Sequence, residues 1–280
     1  MNQAATPTAP SHHAPHRSWV RRSLSRWRAR GVRWTVQCAR GLGRTQLPCR
    51  CVGRWTSVPA EYWSGWSFRY EPAVYRALRG QLSPGETFLD VGAHFGIWSQ
   101  VASLIVGKEG RVVSFEPSPA VDKLRTFLKK TSAKIEAKAV GDSCGSIRFF
   151  AQGDALTGSL EREVTSINEA YNEGPVEELE VEMTTLDTYC AAEGITPSLI
   201  KVDVEGAELR VLTGARNLLE TARPKLVIEV HPPQLAHFEG SESDLYQRLD
   251  ELGYSVETID QNTNSLYTIL CLPQERPSEA

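Results

Sequence analysis

Residues 87–96 (TFLDVGAHFG) constrain the fold of this chain more than any other stretch. An apolar run ends at Asp90-Val91, and a loop between Gly92 and Gly96 leads directly into helical spacing over residues 97–106. A strand that enters a helix through glycines brings backbone close to a ligand, and the unpaired N–H groups at the helix start favour a polar group there. This stretch alone fits a ligand-binding turn and an ordinary strand–helix turn equally well.

Residues 111–117 (RVVSFEP) supply the second strand of the unit and favour a nucleotide-like ligand. Glu116 ends this strand, 20 positions after Gly96. A carboxylate at that position can accept hydrogen bonds from both hydroxyls of a ribose. The glycine pattern is D-x-G-x-x-x-G, whereas a pyrophosphate site requires G-x-G-x-x-G. Because Asp90 precedes the first glycine, the loop suits a cationic ligand better than an anionic one.

Three later strands are also predicted to end in polar residues. Residues 134–140 are predicted as the third strand, followed by Asp142, which is placed either to accept a hydrogen bond from an adenine amino group or simply to form a turn. Asp203 and Glu205 end the strand predicted over residues 198–204. His231 ends the next strand, and alternation along that strand puts it on the same face as Glu229. We expect these groups to meet at the carboxyl edge of one sheet.

Three motifs together resemble the FkbM family of S-adenosylmethionine-dependent methyltransferases. They are DVGAHFG at residues 90–96, FEP at residues 115–117 and LIKVDVEGAE at residues 199–208, and the resemblance extends over about residues 68–272. It implies an α/β, Rossmann-like class I methyltransferase fold, with a mostly parallel seven-stranded sheet and helices on both faces. The family usually has Asn where this chain has His94, which leaves the role of that side chain open.

The resemblance also implies the site. We expect seven residues to bind S-adenosylmethionine: Asp90, Gly92, Ala93, His94, Gly96, Glu116 and Asp142. We expect catalysis to use Asp203, Glu205 and His231, with His231 as general base because an imidazole titrates near neutral pH. The first two carboxylates would orient the acceptor or hold a divalent cation, although no ligand spacing demands a metal. The expected reaction is O-methylation of a hydroxyl on a sugar, glycolipid or polyketide-like small-molecule acceptor.

Two other classes of function remain open at this point. An NAD(P)-dependent oxidoreductase on a Rossmann fold would need tighter glycine spacing and a Tyr-Lys or comparable pair, and neither is evident. A non-catalytic, membrane-associated binding protein would need the acids at the strand ends to be purely structural. Five polar groups at one edge (Asp90, Glu116, Asp203, Glu229 and His231) argue against that reading.

The charge is distributed unevenly along the chain. Residues 1–60 contain 11 arginines and no Asp, Glu or Lys, so the remainder holds 20 of the 31 basic residues against all 34 acidic ones. This division predicts a disordered, basic, Arg- and Trp-rich arm over residues 1–56 and a methyltransferase domain over residues 57–275. Residues 17–36 place tryptophans and leucine on one helical face and arginines elsewhere. Three readings stay open: peripheral contact with an anionic membrane surface, a solvated or docked tail, and a targeting peptide.

Composition limits the compartment and the partners. The six cysteines show no C-x-x-C pair, which is typical of free thiols in a reducing compartment. No run of 18 apolar residues is present, so we expect a cytoplasmic protein with, at most, peripheral membrane contact. A nucleic-acid partner is not expected, since the acidic main domain offers no continuation of the basic arm.

Overall fold

The computed structural model describes residues 46–59, 71–152, 158–161, 176–238, 240–261 and 266–275. The prediction of a basic helix over residues 17–36 therefore lies outside the described residues. Strands β1 (Gln46–Cys51) and β2 (Arg54–Pro59) form a two-stranded sheet that the sequence did not predict. The predicted domain boundary after residue 56 falls within β2. Of the described residues, 46–49 and 57–59 belong to one compact unit and the others to a second one.

The larger unit is built on a seven-stranded sheet with the order β12-β13-β11-β10-β3-β4-β5. Neighbours from β11 to β5 run parallel, while β13 is antiparallel to both β11 and β12. The strand bounds are Thr87–Val91 (β3), Arg111–Phe115 (β4), Lys134–Glu136 (β5), Leu199–Val202 (β10), Lys225–Val230 (β11), Tyr254–Gln261 (β12) and Tyr267–Pro273 (β13). The predicted Rossmann-like architecture, with a mostly parallel seven-stranded sheet, is confirmed.

The central strands are mostly apolar and are buried on both faces, as parallel strands covered by helices must be. All four residues of β10 are buried. Alternate residues, including Leu89 on β3 and Ile200 on β10, enter the main hydrophobic core with the helices Leu186–Glu193, Glu208–Gly214 and Glu242–Glu251. On the other side of the sheet, Asp90 of β3 faces the helix Ile97–Val106, where Ser99 donates to it.

The remaining helices complete the two helical layers. Within the described residues they are Pro72–Gln81, Ala120–Leu128, Arg216–Thr221 and Pro232–Leu235, and a 3-10 turn follows at Ala236–Phe238. The helix Pro72–Gln81 begins with a proline, whose fixed φ and missing N–H are tolerated in the first turn. In the part of the chain that the structure describes, no helix is both long and apolar enough to cross a membrane.

A second sheet of four strands has the order β6-β9-β7-β8. Its strands are Lys138–Val140 (β6), Gly145–Gln152 (β7), Gly158–Ser159 (β8) and Val176–Thr184 (β9). The prediction of one strand over residues 134–140 is therefore wrong. Residue 137 separates β5, which pairs with β4, from β6, which pairs with β9. Asp142 consequently follows a strand of the smaller sheet.

Candidate functional site

The loop between β3 and the helix Ile97–Val106 is held against β4 by its own backbone. The N–H groups of Gly92 and Ala93 both donate to the carbonyl oxygen of Phe115, at 3.1 and 2.9 Å. Gly92 has φ +78°, and a Cβ there would lie 1.8 Å from the carbonyl oxygen of Asp203. Only glycine allows such an approach. This contact places the loop directly beside the end of β10.

His94 and Glu116 are joined across this loop. The backbone N–H of His94 donates to Glu116 Oε2 at 2.7 Å, and that of Ser118 donates to Oε1 at 2.9 Å. Burial raises the pKa of Glu116, while these donors oppose the shift. His94 has φ +50°, a left-handed conformation that His and Asn adopt more readily than most residues. This shared tolerance explains how His can stand where Asn is usual.

Three neighbouring strands each place one polar residue side by side in the sheet, close to this loop. In the registers of the parallel strands, Lys201 on β10 is opposite Asp90 on β3, which is opposite Ser114 on β4. Ser99 Oγ donates to Asp90 Oδ2 at 2.5 Å and lies 2.7 Å from Ser114 Oγ. Burial raises the pKa of Asp90, although Lys201 opposes that shift. The fully buried Asp90 thus supports the loop from beneath.

The side chain of Lys201 forms an ion pair with Asp203, in which Nζ donates to Oδ2 at 2.8 Å. Its side chain is only 2% exposed. Burial alone would lower the pKa of Lys201, but Asp203, Asp90, Glu71 and Glu229 raise it above its ordinary value. In turn, burial would raise the pKa of Asp203, but Lys201 and His231 hold it below its ordinary value. The positive charge of Lys201 therefore offsets the repulsion among the carboxylates of Asp203, Asp90, Glu71 and Glu229.

The three predicted catalytic residues meet at the ends of β10 and β11. Asp203, Glu205 and His231 each offer one ligand atom, and those three atoms lie within 4.8 Å of one another. The imidazole Nε2 is 3.8 Å from Asp203 Oδ1 and 3.6 Å from Glu205 Oε2. Its Nδ1 is 2.8 Å from Glu208 Oε1, which also accepts from the backbone N–H of Gly206. The sequence thus predicted a cluster that the fold does assemble.

The charges in this cluster are strongly coupled. Burial raises the pKa of Glu205 to about 7. Burial would lower the pKa of His231, but Glu205, Glu208 and Asp203 outweigh it and raise that pKa well above its ordinary value. A general base must be unprotonated. His231 can therefore act as the predicted base only after it has lost the proton that its neighbours stabilise.

Comparison with known proteins identifies the family. The Methyltransferase FkbM domain matches residues 90–256. The chain belongs to the FkbM methyltransferase family. It is 28% identical over 177 residues to the 31-O-demethyl-FK506 methyltransferase FkbM of Streptomyces tacrolimicus, covering 54% of this chain and 67% of that protein. It is 26% identical over 180 residues to the hexuronic acid methyltransferase AglP of Haloferax volcanii, covering 61% of this chain and 66% of that one.

Among solved structures, the chain is similar to the methyltransferase FkbM of Methylobacillus flagellatus KT. The TM-score is 0.46 at 16% identity, over 71% of this chain and 52% of the other. The chain thus spans about two thirds of the length of the two curated relatives and about half of this structure. Membership of the family supports S-adenosylmethionine as the cofactor, and it counts against the oxidoreductase and the non-catalytic binding protein as alternatives.

The observed residues of this FkbM-family protein fit that cofactor. The buried acid Glu116 lies at the end of the second strand of the unit, where a ribose is bound in such folds. Each carboxylate oxygen accepts one backbone N–H and keeps a second lone pair for a ribose hydroxyl. The chain passes close enough at Gly92 that a side chain would collide with the neighbouring strand. When bound, S-adenosylmethionine supplies the methyl group as an electrophile.

Asp142 has a different environment from the rest of the predicted cofactor set. Its Oδ2 and Oδ1 accept from Arg210 Nε and Nη2, at 2.9 and 3.0 Å. This ion pair lowers the pKa of Asp142. A carboxylate so paired still has lone pairs for an amino group. The adenine contact stays a prediction.

Sequence reasoning missed three members of the site. From the sequence, Lys201 and Glu208 have no assigned role beyond their place in the motif at residues 199–208, and Glu229 is named only as an acid at the sheet edge. Burial and Asp203 raise the pKa of Glu229 well above its ordinary value. A lysine in the middle of an apolar strand is a usable signal, because lysine is almost never fully buried unless it is paired.

Proposed function

We propose that this protein transfers the methyl group of S-adenosylmethionine to a hydroxyl oxygen of a sugar, glycolipid or polyketide-like acceptor. The observation that carries the proposal is the cluster of Asp203, Glu205 and His231 beside the Gly92 loop. It puts two carboxylates and an imidazole next to the loop that fits the cofactor. The names of the two curated relatives specify a 31-O position and a hexuronic acid, which supports an oxygen acceptor.

Each residue of the cluster has a distinct part in this proposal. Asp203 is fixed through Oδ2 by Lys201, so that Oδ1 is presented beside His231 to orient the acceptor hydroxyl. Glu205 is 19% exposed and can meet an acceptor that enters from solvent. His231 is oriented by Glu208. Together these groups receive the proton that the hydroxyl loses, and much of the remaining rate enhancement comes from positioning.

The proposal predicts a methyl ether as the product. Full-length protein would be incubated with S-adenosylmethionine that carries an isotopically labelled methyl group and with two acceptors, a hexuronic acid glycan and a hydroxylated macrolide. Mass spectrometry with fragmentation then locates the label. We expect it on a hydroxyl oxygen. A methyl ester would instead indicate a carboxylate acceptor, and a label on nitrogen or carbon would contradict O-methylation altogether.

A further inference from the structure

In the Asp203–Glu205–His231 cluster, the imidazole lies near both carboxylates without a hydrogen bond to either. His231 Nε2 is 3.6 Å from Glu205 Oε2 and 3.8 Å from Asp203 Oδ1, and both separations are too long for hydrogen bonds. Two ligands that each lie about 2.1 Å from one metal ion are about 3.0–3.4 Å apart at octahedral or tetrahedral angles. The observed separations exceed those values by only a few tenths of an ångström. The third separation, between the ligand oxygens of Asp203 and Glu205, is at most 4.8 Å. A small inward movement of the three atoms would therefore let them bind one cation.

His231 is held in the orientation of a metal ligand. Its side chain is 2% exposed, and Nδ1 lies 2.8 Å from the carboxylate of Glu208, which is completely buried. Metal-binding histidines almost always use their second ring nitrogen in this way, because the hydrogen bond fixes both the tautomer and the ring plane. The opposite nitrogen, Nε2, then points into the gap between the two carboxylates. The hydrogen bond to Glu208 is therefore a separate observation, which does not depend on how many carboxylates lie nearby.

The two carboxylate oxygens of Asp203 make different contacts. Its Oδ2 is held by the buried Lys201 at 2.8 Å, while Oδ1 is the oxygen nearest to Nε2. Lys201 therefore fixes the carboxylate without closing the gap. Glu205 is held at φ +52°, a conformation that is costly for a residue with a Cβ, next to Gly206 at φ +104°. Backbone strain at this turn directs a third ligand atom to the same place.

We propose that Asp203, Glu205 and His231 bind one divalent cation. Two carboxylate oxygens and one imidazole nitrogen suit Mn²⁺, Fe²⁺ or Zn²⁺. Three protein ligands leave coordination positions for an acceptor oxygen. With the ion bound, Nε2 of His231 holds the cation and does not accept the proton; the cation would instead lower the pKa of the acceptor hydroxyl, which then releases its proton to solvent. The inference rests on the proposed function only for this use of the cation, since binding of the ion itself needs neither cofactor nor acceptor.

The test is a direct titration with Mn²⁺. Full-length protein is stripped with a chelator, and the free Mn²⁺ is measured by electron paramagnetic resonance. We expect saturable binding of one Mn²⁺ per chain. Asp203→Asn and His231→Gln should each weaken it at least tenfold, and Glu208→Gln should weaken it about 10- to 100-fold through loss of orientation. Asp122→Asn removes an exposed carboxylate from the helix Ala120–Leu128 and should leave the affinity unchanged.

Two readouts keep the outcomes separate. S-adenosylmethionine binding is measured by calorimetry on the same metal-free preparations, and circular dichroism confirms that each variant is folded. Cofactor binding without saturable Mn²⁺ binding by the unmodified chain would overturn the metal site and leave the proposed function standing. Equal Mn²⁺ affinity in the unmodified chain and in both ligand variants would overturn it as well. Mn²⁺ binding without methyl transfer to any hydroxyl would support the site and count against the proposed function alone.

Discussion

Replacement of Lys201 by methionine is expected to lower the free energy of unfolding by about 3–5 kcal/mol. Lys201 is buried, and its ammonium contacts Asp203 at 2.8 Å and is opposite Asp90 in the sheet. The Lys201→Met side chain has a similar shape but no charge, so two carboxylates would lose their nearest cation. Breaking a buried ion pair from one side leaves the other charge uncompensated, which is why the loss exceeds that for a surface pair.

Thermal and urea unfolding measure this loss. For a domain of this size, the loss corresponds to a decrease in melting temperature of roughly 6–20 °C. Lys108→Met, at an exposed position, is the matched control and should change the midpoint little. Adding Asp203→Asn to Lys201→Met should recover part of the stability, because the orphaned charge is then removed. A loss below about 1 kcal/mol, or strictly additive effects, would show that Lys201 does not balance the acids.

Replacement of His231 by alanine is expected to reduce turnover about 10²–10⁴-fold and to leave cofactor affinity nearly unchanged. The imidazole Nε2 lies 3.8 Å from Asp203 Oδ1 and 3.6 Å from Glu205 Oε2, and among the described residues His231 is not one of those that hydrogen-bond Glu116. Its loss removes both a group that can move a proton and the ring that spaces the two carboxylates. Asp203→Asn should also lower turnover, since it keeps the shape of the side chain and removes its charge.

A purely structural role makes a different forecast for the same variants. In that case His231→Ala and Asp203→Asn would lower the melting temperature and leave the rate of the folded fraction intact. His237→Ala is the matched control, because His237 is exposed six positions further along. Turnover and melting temperature measured on all three proteins separate the two accounts. A normal rate in folded His231→Ala would remove His231 from the catalytic set.

The sequence predicts the central strands and the cofactor loop well for a physical reason. β3, β4, β10 and β11 are short apolar runs that end in a polar residue, and in a parallel sheet such ends meet at one edge. The glycine at position 92 is required because a Cβ there would lie 1.8 Å from the carbonyl oxygen of Asp203. Local pattern and overall topology agree here, so the motif alone locates the site.

Pairing between distant segments could not be predicted in the same way. Periodicity cannot show that the chain changes sheets at residue 137. The strand before it pairs with β4, and the strand after it pairs with β9, which lies more than 40 positions further along the chain. Asp142 illustrates the same limit, because its partner Arg210 is 68 positions away. The pKa of His231 depends on Glu205 and on Glu208, and Glu208 has no role of its own in the sequence-based predictions. Residue types predicted the site, while their protonation required the fold.

The cofactor site is tested most directly by calorimetry of S-adenosylmethionine binding to the full-length chain. The account predicts one molecule bound per chain. It also predicts that Glu116→Ala weakens binding by about 1.5–3 kcal/mol, or roughly 10- to 150-fold, through loss of the hydrogen bonds that a charged group makes to the ribose. Glu109→Ala, at an exposed position before β4, should bind like the unmodified protein. Failure of the unmodified chain to bind S-adenosylmethionine, or unchanged affinity in folded Glu116→Ala, would contradict the account.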